Sequence, residues 1–274
     1  MTHPAITAGN VAVITGGADG IGLAAANYYL SRDMRVCIAD IDQEKLDAAV
    51  QNIGEVLALR CDVSNIKEVS RLKDQVIEHY GRVDVLMNNA GIGIPAGSWD
   101  NYENWQTLLD VNLWGVINGM HCFVPAMIAQ GTPGLVINTG SKQGITTPPG
   151  NPAYNVSKAG VKAATEALQH ELRNTEGCKI SAHLLVPGFV YTGMVRPFLP
   201  EKPDSAWLPE QVVEFLVDAL DRGDFYVICP DNDVSRAEDN KRMAWAMGDL
   251  IENRPPLSRW HPDFQGAFES YMQE

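Results

Sequence analysis

The sequence predicts an α/β fold, a doubly wound domain with a seven-stranded parallel sheet and helices on both faces, and three observations carry this prediction. Short β-branched runs alternate with longer helical patterns along the chain. The runs are apolar throughout, as in strands covered on both sides, and a glycine-rich turn joins the first run to a helix. In order, the strand candidates are VAVITG (11–16), RVCIAD (35–40), VLALRCD (56–62), VDVLMNNA (83–90), GLVINTG (134–140), KISAHLLVP (179–187) and FYVICP (225–230). Helices fit between most of them, for instance at 20–32, 42–52, 65–80 and 152–174. A doubly wound sheet of this kind binds its ligand at the carboxyl ends of the strands.

At 274 residues and 45% hydrophobic content, the chain can bury a large core as one domain. Residues 1–230 read as the catalytic, ligand-binding part and 231–274 as a C-terminal extension of the same domain. Between 193 and 210 four prolines, Pro197, Pro200, Pro203 and Pro209, interrupt regular structure. That segment reads equally as a lid beside a site or as a surface loop stiffened by proline. A formal net charge of −13 and a pI near 4.8 argue against nucleic acid and anionic membrane surfaces, which recruit Lys and Arg. The expected partner is a small molecule or a second copy of the chain.

Five cysteines, 37, 61, 122, 178 and 229, are odd in number and lack CxxC or Cys/His spacing. They predict buried thiols, no disulfide framework and no metal site. The N-terminus MTHPAITAGN lacks a charged region leading into an apolar signal core, and no apolar run approaches ~18 residues. The expected location is therefore cytoplasmic.

Tyr154 and Lys158 stand four residues apart in NPAYNVSKAG, on one face of a predicted helix. Val161, Thr165, Leu168 and Leu172 continue the same spacing, so an ordinary core stripe is the competing reading. The chemical reading is that an ammonium beside a phenol, which normally titrates near ~10, favours phenolate and prepares it to exchange a proton with an alcohol or carbonyl.

The first strand ends in TGGADGIG, where Gly16, Gly20, Ile21 and Gly22 open the next helix. Glycine allows a tight turn and close approach of a diphosphate, and the helix start offers free N–H groups and a positive dipole end. The spacing departs from GxGxxG. Asp40 closes the second strand eighteen residues past Gly22, where a carboxylate would accept hydrogen bonds from an adenosine ribose and repel a 2′-phosphate. Ala18, Ile41 and Asp42 offer no basic residue to welcome that phosphate, so the expected cofactor is NAD. Asp42 itself reads as a helix N-cap.

These residues, with Asp62 in RCDV, NNAG at 88–91, Asn112 in VNLWGV, Ser141 in NTGSKQG, YNVSK at 154–158 and PGFVYT at 187–192, resemble the short-chain dehydrogenase/reductase family from residue 11 to about 230. The resemblance implies a Rossmann-like domain and a catalytic set. In that set Tyr154 is the general acid/base, Lys158 lowers its pKa and binds the nicotinamide ribose, Ser141 hydrogen-bonds the substrate oxygen, and Asn112 holds a water in a proton relay. Such a site needs only to place the cofactor and move a proton. The cofactor-binding residues implied are Gly16, Asp19, Gly20, Ile21, Gly22, Asp40, Ile41, Asp62, Val63, Asn89, Ala90, Gly91, Tyr154, Lys158, Pro187, Gly188, Val190 and Thr192. Val63 and Val190 also read as core, Asn88 as a sheet stabiliser and Gly188 as a backbone turn.

By the same resemblance, Gln143, Ile145, Tyr191 and Met194 are substrate-binding candidates, with residues 93–97, Pro149 and Phe189 around them. The set is mostly apolar and suits a bulky or aromatic secondary alcohol, oxidised to or formed from its ketone. The run from Val111 to Ile137 is similar to bacterial dehydrogenases that oxidise benzylic alcohols of lignin dimers, although it covers scaffold and not pocket. Trp99, Trp105 and Trp114 lie in a helical stretch and read as core or interface packing. Ala159, Ala163 and Ala167 give the 152–174 helix a second small-residue side, which with the family resemblance predicts a homodimer or homotetramer. A cofactor-holding redox sensor is the competing class, and the complete catalytic set argues against it.

Overall fold

A computed structural model describes residues 3–273. Seven parallel strands form one sheet in the order β3-β2-β1-β4-β5-β6-β7, with β1 at Val11–Thr15, β2 at Arg35–Asp40, β3 at Leu57–Arg60, β4 at Val85–Asn88, β5 at Gly134–Thr139, β6 at Ile180–Val186 and β7 at Tyr226–Ile228. The chain runs outward from β1 to β3, then crosses back to lay β4 on the other side of β1. That reversal opens a crevice at the carboxyl ends of β1 and β4, where a doubly wound sheet takes its ligand.

Side chains alternate across the sheet, and both faces are covered. Ala12, Ile14, Val36, Ile38, Met87 and Ile137 pack on α1 (Gly20–Leu30) and α8 (Pro209–Asp221), through Ala25, Tyr29, Val212 and Leu216. Val11, Val13, Cys37, Leu86 and Val136 face α3 (Ile66–Tyr80) and α5 (Gly115–Gln130), through Leu72, Val76, Phe123 and Met127. Burial on both sides is why these strands read as unbroken apolar runs.

The 152–174 helix is α7, Pro152–Asn174, capped by Asn151, whose side chain accepts from the Tyr154 N–H at 3.2 Å. Asp42 caps α2 (Gln43–Ile53) through a 3.1 Å bond from the Lys45 N–H. The C-terminal segment folds into α9 (Arg236–Ile251), two single 3₁₀ turns and α10 (Gln265–Gln273). Cys37, Cys61 and Cys229 are buried, Cys122 and Cys178 half-buried, and all five are free thiols.

Trp99 precedes α4 (Tyr102–Leu109) in a bend, outside the expected helical stretch, and is 94% exposed, and Trp114 is 52% exposed, so of core or interface packing the core is excluded for these two. Only Trp105 is anchored, its indole N–H donating to the Gly97 carbonyl at 2.7 Å. The helical run Tyr102–Gln130 is long and apolar enough on average to cross a membrane, although Asn, Gly and His interrupt it. It packs against α3 and α7, and it carries the buried Asn112 into the crevice.

Candidate active site

Three strand ends and one helix build the site. Thr15 at the end of β1 receives both backbone N–H groups of Asn89 and Ala90 on its hydroxyl, at 3.0 and 3.2 Å. The Asn89 amide in turn donates to the Thr15 and Gly16 carbonyls and accepts from the Thr139 hydroxyl, so it ties the ends of β1, β4 and β5 together. Asn88 donates to Asn138 at 2.8 Å, a bond between β4 and β5 that fits its reading as a sheet stabiliser.

The glycine turn has no room for side chains. A Cβ on Gly22 would stand 2.2 Å from the Gly16 carbonyl oxygen, and one on Gly16, at φ +62°, would stand 2.7 Å from the Ala90 Cα. The turn is thus pressed between α1 and the β4 end. Asp19 caps α1 by accepting from the Gly20 N–H at 2.7 Å. Its carboxylate also meets Lys45 and Arg196, each at 3.6 Å. The sequence reading had no cation near this turn, but Lys45 arrives from the first turn of α2.

Asp40, half-buried at the end of β2, accepts from the Ala18 N–H at 3.3 Å and the Asp42 N–H at 3.2 Å. These bonds hold its carboxylate beside the glycine turn, and Ile41 beside it is exposed. Asp62 is turned inward on its own loop, accepting from the Ser64 N–H at 3.0 Å and the Ser64 hydroxyl at 2.7 Å. Val63 and Val190 are both core residues, 7% exposed, which favours the packing reading for their side chains.

Lys158 is buried and its ammonium donates to the Thr139 carbonyl at 2.8 Å. Burial pulls its pKa from 10.5 down to about 8. The Tyr154 phenol moves the other way: burial raises its pKa, and a hydrogen bond with Ser141 offsets part of the rise. Lys158 Nζ lies 5.8 Å from the centre of the Tyr154 ring. The direction of the Tyr154 shift is set by burial and opposed by Ser141, while the Lys158 ammonium is turned to the Thr139 carbonyl.

Asn112 sits within a single π turn, Asp110–Trp114, that joins α4 to α5. Its side-chain oxygen accepts from the Ile92 N–H at 2.8 Å, and its amide donates to the Ile92 carbonyl at 3.0 Å and to the Ser157 hydroxyl at 3.4 Å. The Asn112 side chain thus braces the 91–93 backbone. A Cβ on Gly91 would lie 3.4 Å from Asn112 Oδ1 and 3.7 Å from Lys158 Nζ, ordinary contact distances that place Gly91 beside both side chains.

The segment after β6 folds over the crevice. Thr192 lies against Gly20, Met194 against Gly93 and Gly193 against Asp19, while Arg196 reaches back to the same carboxylate. Pro187 and Gly188 turn the chain out of β6, and Gly188 is packed on the Lys142–Asp231 pair. Among the substrate candidates, Gln143 is exposed, and the Tyr191 hydroxyl is spent on the Pro200 carbonyl at 2.5 Å. Ile145 walls a cavity of about 430 Å³ between α6 (Gln143–Thr146) and the C-terminal segment. Lys142, next to Ser141 in the chain, was missed by pattern reading; it pairs with Asp239 at 2.6 Å and Asp231 at 3.3 Å.

Comparison with known proteins agrees with this geometry. The family model for short chain dehydrogenase matches residues 10–203. The chain is 37% identical over 199 residues to the 3-oxoacyl-[acyl-carrier-protein] reductase of Thermotoga maritima, covering 71% of this chain and 79% of that protein. It is 33% identical over 204 residues to human 15-hydroxyprostaglandin dehydrogenase [NAD(+)], covering 71% and 73%. A Burkholderia phymatum short chain dehydrogenase/reductase solved with NAD superposes with a TM-score of 0.82 at 30% identity over 93% of this chain and 98% of that one. A metagenomic short-chain oxidoreductase solved with NADP gives 0.68 at 30% identity, over 82% and 98%.

The chain belongs to the short-chain dehydrogenase/reductase family, oxidoreductases that act on alcohols and ketones with a nicotinamide cofactor.

Proposed function

We propose that this chain is an NAD-dependent dehydrogenase of a bulky, apolar or aromatic secondary alcohol, with Tyr154 as general base and reduction of the corresponding ketone as the reverse direction. The observation that carries the reading is the meeting of Tyr154, Ser141, Lys158 and Asn112 at the ends of β4 and β5, next to a glycine turn that excludes side chains. A redox sensor has no need of that set.

Asp40 supports NAD over NADP, since its carboxylate is fixed by two backbone N–H groups where a 2′-phosphate would have to lie. Gly16, Gly20, Ile21, Gly22 and the start of α1 would hold the diphosphate, with Lys45 and Arg196 offsetting the charge of Asp19. Gly91, Ala90, Pro187, Gly188 and Thr192 would flank the nicotinamide end. When bound, NAD supplies the electron acceptor and a positively charged ring close to the phenol. Ser141 orients the substrate oxygen, Tyr154 takes its proton, and the Lys158 ammonium stabilises the phenolate that this requires. Asn112 keeps the 91–93 backbone in place for both.

Oxidation is the default direction because cellular NAD is mostly oxidised. A reducing cytoplasm suits five free thiols, and a homodimer or homotetramer suits the exposed Ala163 and Ala167 side of α7. The test is absorbance of NADH over a panel of aliphatic, alicyclic and benzylic secondary alcohols, run with NAD and with NADP. Turnover favouring aryl or alicyclic alcohols with NAD supports the reading; no reaction in either direction removes it.

A further inference from the structure

Two arginines in the C-terminal segment feel the charge of Asp239 but form no ion pair with it. Arg242 of α9 and Arg259 of the 258–260 turn both line the cavity of about 430 Å³, and both also line a smaller one of about 60 Å³ beside it. Neither makes an ion pair with a described residue, and Arg242 Nε is buried with no hydrogen-bond partner. The neighbouring carboxylates are already engaged: Asp239 by Lys142 at 2.6 Å, Asp249 by Arg254 at 3.0 Å, and Glu238 by the Ser235 N–H it caps at 2.7 Å.

The walls of the two cavities therefore carry Lys142, Arg242, Arg254 and Arg259 against Asp239 and Asp249, a surplus of cation in a chain whose formal charge is −13. Leaving a guanidinium N–H buried and unpaired is costly, and two guanidinium groups facing one cavity repel. Burial and Arg242 both press the Arg259 pKa downward, and Asp239 opposes them only in part. Apolar surface completes the cavity: Ile145, Trp245, Leu250 and Trp260, with the Arg259 guanidinium itself 4.8 Å from the centre of the Trp260 ring.

We propose that this groove between α6 and the C-terminal segment binds an organic anion, a carboxylate on an apolar or aromatic body, with Arg242 and Arg259 taking the carboxylate. Planar guanidinium groups match a carboxylate's two oxygens, and the orphaned Nε supplies a donor already in place. Ile145 and Thr146 wall the groove four and five positions after Ser141, so an occupant lies one short helix from the proposed chemistry. The carboxylate belongs either to the far end of the alcohol substrate, which deepens the proposed function, or to a separate ligand. The anion site itself does not depend on that choice.

The test is calorimetric titration of the full chain, with and without NAD, using 4-isopropylbenzoate and its neutral counterpart 4-isopropylbenzamide. The benzoate binds roughly tenfold or more tightly than the amide, Arg242→Gln removes most of that difference, and Arg242→Lys retains part of it. Melting temperature of each variant shows that it is folded. Equal binding of acid and amide, no binding of the acid, or undiminished acid binding by folded Arg242→Gln overturns the site. Competition of the benzoate against alcohol assigns the carboxylate to the substrate, and binding without competition assigns it to a separate ligand; both results support the site. Since calorimetry needs no turnover, failure of the alcohol assay leaves this result readable.

Discussion

Replacing Lys158 with methionine exposes the cost of keeping a charge in this cleft. The ammonium is buried, and its pKa falls from 10.5 to about 8. Each tenfold change in proton affinity is worth about 1.4 kcal/mol, so holding the charged form costs about 3 kcal/mol of stability below pH 8. The sign follows from proton counts: between about pH 8 and 10.5 the unfolded chain keeps a proton that the folded chain has released, and stability rises with pH across that window. Lys158→Met lacks this contribution. It also leaves the Thr139 carbonyl without its 2.8 Å donor, a loss that does not vary with pH. The two effects separate in urea denaturation of the cofactor-free proteins. The stability of the unmodified protein relative to the variant should rise by roughly 2 to 3 kcal/mol from pH 7 to pH 10. A difference that is flat with pH, or that falls, would refute the assignment of Lys158 as a buried, destabilised ammonium.

The remaining expectations concern cofactor and chemistry. Asp40→Ala should erode the preference for NAD over NADP by roughly tenfold or more, from a repulsion of about 1 to 4 kcal/mol between close charges, read as the ratio of kcat/KM for the two cofactors. Gly22→Ala places a methyl 2.2 Å from the Gly16 carbonyl oxygen, so the melting temperature should drop, reflecting about 1 to 3 kcal/mol of overpacking, and NAD binding should weaken in calorimetry. The rate of alcohol oxidation should climb with pH up to about 8, where Lys158 begins to lose its charge, because burial raises the Tyr154 pKa and the base form is scarce at neutrality. Ketone reduction, which uses the protonated phenol, should be level near neutrality and fall at high pH; an oxidation rate that declines from about pH 6 to 8 contradicts Tyr154 as the base.

Much of the fold was legible because burial on both faces leaves a simple signature. Val11 to Ile14 and Val36 to Ala39 are apolar without alternation, and Asp40 then marks where the second strand leaves the core. The pairing of Tyr154 with Lys158 was legible because helix spacing alone puts them on one face. The sign of the Tyr154 shift was not, since it depends on how much surrounding protein desolvates the phenol, a quantity that four-residue spacing does not contain. Asn112 was found by position, yet its bonds to Ile92 and Ser157 come from segments far apart in sequence. The Arg242 and Arg259 groove escaped notice for a related reason. A net charge of −13 conceals a local surplus of cation, and only packing of the 258–260 turn against α9 brings those two residues to one cavity.

The central claim is that Tyr154 takes the alcohol's proton while NAD is held independently by the glycine turn. NADH formation by the unmodified protein and by Tyr154→Phe, beside NAD binding measured on both, tests it most directly. Turnover that falls by about a hundredfold or more in the variant, with NAD binding unchanged, is the predicted result. A variant that retains its rate would contradict the account.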